Sequence, residues 1–213
     1  MLYDKKQKLF IISDYIRPKN KTAPQTYQQR WHMLPAANIS IDEGTSVARS
    51  HFEDVNVEIT PVAPEDFVEA SLESATFSGG AGSFQSMNQA VYHKETVGDV
   101  TYDVVVVPEN IGEDFSTQTT KLDTGLPAGA ANSFTYRLTD KKTGNYTTST
   151  YYHLNDLSQK GDVTVGRYKT DASAMYVTED KQGNVQSVFL MNGTHLEDTT
   201  LADRVLFKSK EQV

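Results

Sequence analysis

Tyr27-Gln28-Gln29-Arg30-Trp31-His32-Met33-Leu34-Pro35, continued by Ala36-Ala37-Asn38-Ile39-Ser40-Ile41, places the only tryptophan, an arginine and a histidine in three consecutive positions. Taken as a β-strand, its alternation puts Tyr27, Gln29, Trp31 and Met33 on one face and Gln28, Arg30, His32 and Leu34 on the other, with Pro35 ending or bending the run. One face is then largely apolar and the other basic. Two meanings fit this pattern. It is a core strand, since a tryptophan at a half-buried strand position ordinarily packs, or it is a strand whose Arg30 and His32 meet an acidic sugar.

The same period of two recurs along the chain. Leu9-Phe10-Ile11-Ile12-Ser13-Asp14-Tyr15-Ile16 is rich in β-branched and aromatic residues and stops at Arg17-Pro18. Val55-Asn56-Val57-Glu58-Ile59-Thr60-Pro61-Val62 alternates with valine and isoleucine inward. Val104-Val105-Val106-Val107 is apolar on both sides and marks a centre strand covered on both faces. Hairpin signals follow. Phe134-Thr135-Tyr136-Arg137-Leu138 precedes the turn Asp140-Lys141-Lys142-Thr143-Gly144-Asn145, and residues 146–154 alternate again. Residues 163–168 and 172–178 are further strands, and Glu179-Asp180-Lys181-Gln182-Gly183-Asn184 turns into residues 185–191. Residues 64–84 are the least patterned: Pro64-Glu65-Asp66 opens a helical turn and residues 77–83 form a glycine-rich loop.

No helical periodicity is sustained anywhere. The expected fold is therefore all-β, an antiparallel β-sandwich of about a dozen strands with little helix. It is expected to occupy residues 1–196, with a terminal strand and polar tail over 197–213.

The chain has 213 residues and a formal net charge of −8, without basic clusters. This argues against nucleic acid and against an anionic membrane surface as partners. No apolar run approaches the roughly 20 residues of a bilayer-spanning helix. With no cysteine, thiolate zinc sites and cysteine nucleophiles are excluded. Asp4, Lys5, Lys6 and Lys8 precede only a short apolar stretch, unlike a signal peptide, and the chain reads as a piece of a longer protein.

Chemistry is sparse. The histidines His32, His51, His93, His153 and His195 form no local metal-binding pair, so no metal or cofactor is expected. There is no Gly-x-Ser-x-Gly, and the two Asp-Lys turns lack the ligands of a calcium loop. Sequons at Asn20, Asn38, Asn145 and Asn192 fall in turn-like contexts.

Taken in order, the elements resemble the C-terminal β-sandwich of the heparinase II/III-like polysaccharide lyases. The resemblance rests on Leu9-Phe10-Ile11-Ile12-Ser13-Asp14, an apolar strand ending in Asp, and on Gln28-Gln29-Arg30-Trp31-His32-Met33-Leu34-Pro35, similar to the family's aromatic-His-Leu-x-Pro strand. Val104-Val105-Val106-Val107-Pro108 and the hairpin from Asp171 to Thr194 extend it. It implies a parent that cleaves uronic-acid polysaccharides by β-elimination, which requires the uronate carboxylate to be neutralised, a base for the C5 proton and an acid for the leaving oxygen. In the family those groups lie on an N-terminal α/α-toroid and at the start of the sheet region, expected upstream of Met1. No catalytic residue is thus carried over, and this piece alone is expected to be inactive. The implied role is to pack on that toroid and form one wall of the substrate cleft, with Arg30 and His32 facing an acidic polysaccharide or oligosaccharide and Trp31 stacking on or beneath it. The alternative is a free-standing carbohydrate-binding or structural β-sandwich module without an enzymatic role.

Overall fold

The protein is described by a computed structural model over residues 1–33, 38–78, 80, 82–159 and 161–210. The fold is all-β: eighteen strands and one 3-10 turn (Pro64–Asp66) among the described residues, arranged in four antiparallel sheets in a sandwich-like fold. Two compact units divide the chain, Met1–Phe115 and Ser116–Val213. The sequence carries no sign of this division, because the boundary lies within Asp114-Phe115-Ser116-Thr117, a run without Pro or Gly.

In the first unit a six-stranded sheet is built from β1 (Leu2–Asp4), β2 (Leu9–Ile16), β9 (Val100–Glu109), β6 (Asn56–Pro61), β5 (Ala48–Ser50) and β4 (Ile39–Ile41), in that spatial order. A three-stranded sheet is ordered β3 (Gln25–His32), β8 (Phe84–Thr96), β7 (Glu69–Ser78). Ile59, Val100, Tyr102 and Val104 of the larger sheet share one core with Ala90 and Tyr92 of the smaller, and Trp31, Tyr27 and Ala70 pack against it. β9 is central and buries Val104, Val105 and Val107, so both its faces are covered. β6 departs from simple half-burial: Glu58 and Thr60, on the face opposite Val57 and Ile59, are buried as well. Arg49, the cross-strand neighbour of Glu58 on β5, neutralises it with an ion pair.

In the second unit β10 (Phe115–Lys121), which starts at the boundary, joins β11 (Ala131–Asp140), β12 (Tyr146–Leu154), β15 (Ala174–Glu179) and β16 (Val185–Met191) in one sheet. The other runs β13 (Val163–Val165), β14 (Tyr168–Thr170), β17 (His195–Asp198), β18 (Val205–Lys208). Tyr152, Met175 and Val177 from the first pack against Val163, Val165, Tyr168 and Leu196 from the second.

Three expectations are refined. The poorly patterned stretch after Pro64 holds β7 and most of a long β7–β8 hairpin, with Phe77 and Ser78 ending β7; Gly79 and Ala81 lie outside the described residues. Residues 163–168 are two strands, folded back at Gly166, whose φ of +60° suits glycine. Residues 195–198, short and polar, form β17 between β14 and β18.

Candidate functional site

β3 is an edge strand, and its side chains alternate: Gln29 is buried and Trp31 packs on the core, whereas Gln28, Arg30 and His32 are exposed. Leu34 and Pro35, expected to close this strand, lie outside the described residues. The inward face is held in place by a short relay. Asp14 on β2 accepts a hydrogen bond from Gln29 Nε2 at 2.9 Å, and Gln29 Oε1 accepts the Trp31 indole N–H at 3.1 Å. Trp31 thus packs beneath the sheet, with its one donor satisfied.

On the outward face, cross-strand neighbours close a polar ring. Arg30 donates to Glu73 on β7 at 2.6 Å and through Nε to Gln28 Oε1 at 3.0 Å, with a second guanidinium bond to the same oxygen. Gln28 Nε2 contacts His93 Nδ1 at 3.2 Å, and His93 Nε2 contacts Glu73 Oε1 at 3.3 Å. Because Gln28 Oε1 is taken by Arg30, the Gln28 amide N–H₂ is the group that faces His93 Nδ1, and His93 Nε2 faces Glu73. Hydrogen bonds from Arg30, aided by its charge and by His93, hold the Glu73 carboxyl below the usual carboxylate range, so it stays ionised.

These bonds occupy three of the five N–H donors of Arg30. His32, two positions on, is exposed and has no hydrogen-bond or ion-pair partner among the described residues. Beside the ring, Gln89 is buried, and its Oε1 has no partner among the described residues. The face therefore offers a guanidinium with spare donors and a free imidazole, backed by an ionised carboxylate. Glu73 is kept as a carboxylate.

The structure brings Arg30 and His32 to one face and Trp31 to the other, as strand alternation requires. Glu73 and His93 join Arg30 only through β8 and β7, and nothing local in the sequence points to them. The other histidines lie apart: His51 contacts Ser40, His153 contacts Asn155, and His195 lies between Asp162 and Asp171. Among the described residues no three His, Asp or Glu side chains converge as a metal site.

No family model matches the chain, and no curated protein is significantly similar to it.

Proposed function

We propose that this chain is the non-catalytic C-terminal β-sandwich of a heparinase II/III-like polysaccharide lyase, lining the substrate cleft with the outward face of β3. In this proposal the working acid and base sit on an N-terminal α/α-toroid of the same parent, and Arg30 and His32 touch an acidic sugar of the polysaccharide. The observation that carries the reading is the Asp14–Gln29–Trp31 relay. It joins two segments, residues 9–14 and 28–35, that resemble the family independently, and it fixes the strand from which Arg30 and His32 project.

The electrostatics favour short-range recognition. Basic and acidic side chains balance in the second unit, so the net charge of −8 falls on the first unit and does not steer an anion from afar. A uronate carboxylate therefore engages the spare N–H groups of Arg30, or displaces Glu73, at contact distance. The test is kinetic. In the parent enzyme, Arg30→Ala and His32→Ala should each lower kcat/KM on uronic-acid polysaccharide by about tenfold, the effect of losing one charge-assisted hydrogen bond. The 213-residue chain should form no unsaturated product. Unchanged efficiency in both variants would rule out the wall role, and turnover by the chain alone would rule out the non-catalytic assignment.

A further inference from the structure

The larger sheet of the second unit ends on an unguarded edge. β16 is its outermost strand beside β15, and no strand lies beyond it among the described residues. An edge strand presents a row of unpaired N–H and C=O groups, and proteins blunt such edges by keeping them short or by placing charged residues, Pro or bulges in them. Every other edge strand here is protected in this way. β1, β4, β13 and β18 are only three or four residues long, β3 carries Arg30, β7 carries Glu69 and Glu73, and β10 ends in Lys121. β16 has seven residues, Val-Gln-Ser-Val-Phe-Leu-Met, without charge, Pro or Gly. Its pairing with β15 skips Gln186, and residues 187–191 then run on in regular register.

The side chains along this edge are apolar and face water: Val188 is 41%, Phe189 47% and Met191 39% exposed. Phe189 and Met191 lie on one face of the strand, Val188 and Leu190 on the other, where Leu190 packs against the core and Val188 stands opposite the core residue Val177. The main chain has a matching polarity. Met191 O accepts the Ser173 N–H at 2.9 Å, so Met191 turns its main-chain groups to the β15 side, and alternation turns those of Val188 and Leu190 to the free side.

Free main-chain groups of this kind are satisfied by another strand, and the sequence of β16 fits a second copy of itself. An antiparallel two-fold through Phe189 sets Val188 against Leu190 and Ser187 against Met191. It lets Val188 and Leu190 exchange hydrogen bonds and brings the two Phe189 rings together as a close, non-hydrogen-bonded pair. No charge opposes a like charge within this pairing, which matters between chains that each carry a net charge of −8. We propose that β16 pairs with β16 of a second copy, so that the sheet continues across a two-fold axis in a reversible homodimer. One short strand edge per copy is engaged, so the dimer is weak and concentration-dependent. It involves neither the Arg30 face nor a ligand on it.

Sedimentation velocity of the full chain from about 1 μM to about 1 mM, with amide exchange at both ends of that range, tests it. A monomer–dimer equilibrium is expected, with the amides of Val188 and Leu190 protected at the higher concentration. Phe189→Lys and Phe189→Glu alter an exposed side chain and set like charges together across the two-fold; each should weaken self-association about tenfold or more, and an equimolar mixture of the two variants should recover it. The proposal is overturned if the chain stays monomeric throughout, as it would if β16 awaited a strand of a different protein, if both variants associate as the unmodified chain does, or if their mixture fails to recover the dimer.

Discussion

Arg167→Met should destabilise the second unit far more than an exposed ion pair would suggest. The Arg167 guanidinium, in the β13–β14 turn, donates through Nε to Asp198 at 2.8 Å, with a second bond to the same carboxylate, and through an Nη to Glu179 at 3.0 Å. Asp198 is fully buried, and the Glu179 side chain is 10% exposed. Glu179 in turn accepts the hydroxyl of buried Tyr168 at 2.6 Å. One cation thus compensates two carboxylates in the interior, and removing it leaves both uncompensated. Breaking a buried pair in this way costs about 3–5 kcal/mol, and the lower end applies because Arg167 is 28% exposed. With a urea m-value of about 1.5 kcal/mol/M for a unit of this size, a loss of about 3 kcal/mol moves the midpoint down by about 2 M. The assay is urea unfolding of the full chain followed by tyrosine circular dichroism and by amide exchange at β14 and β17. Adding Asp198→Asn to Arg167→Met should restore part of the loss, since it neutralises the stranded charge. A midpoint shift below about 0.5 M, or no recovery in the double variant, would refute the claim that Arg167 compensates buried charge.

Gly193→Ala places a Cβ 2.6 Å from Ala172 Cβ and 2.9 Å from its Cα; thermal melting should reveal a loss of about 1–3 kcal/mol, only partly recovered by Ala172→Gly because the contact with the residue 172 backbone remains. Gln29→Leu removes the bridge from Asp14 to the Trp31 indole, so it should cost about 1–3 kcal/mol and shift the emission of the single tryptophan; an unchanged spectrum would mean that the relay does not hold Trp31. Burial works to raise the carboxyls of Asp171 and Asp198, but hydrogen bonds from Thr194 to the one, and from Thr200 and Arg167 to the other, hold both below the ordinary value of 3.8. A folded-state pKa below the unfolded one adds stability that is present above the ordinary value and lost as pH falls through the folded value, so acid unfolding of the second unit should set in below about pH 4. Burial pushes the Tyr152 phenol up from 10.0 to about 12; the stability it adds is complete below pH 10 and is lost as pH rises towards 12, which an alkaline titration of tyrosinate absorbance against unfolding will reveal.

Much of the fold was legible because strands with one buried face write a period of two into the sequence. Residues 104–107 announced a covered centre strand, and the turns at Asp140 and Asp180 announced the hairpins β11–β12 and β15–β16. β7 was not legible. Glu69-Ala70-Ser71-Leu72-Glu73-Ser74 has low strand propensity, and its conformation comes from pairing along the whole length of β8. β13 and β14 merged in the sequence because Val163, Thr164, Val165 and Tyr168 are all strand-favouring residues and read as one strand unless Gly166 is taken as a turn. At the candidate site, alternation alone sorted Arg30 and His32 from Trp31. Glu73 lies 43 residues and His93 65 residues from their partners on β3. Contacts at that separation leave no local trace, and the polar ring could be seen only once β8 stood between β3 and β7.

The outward face of β3 is tested most directly by titrating the full chain with a uronic-acid trisaccharide and following amide and imidazole resonances. Shifts should cluster at Gln28, Arg30, His32, Glu73 and His93, be lost in Arg30→Ala, and be absent with a neutral trisaccharide of the same length. Shifts elsewhere, or equal shifts with the neutral sugar, would contradict an acidic-sugar wall on this sheet.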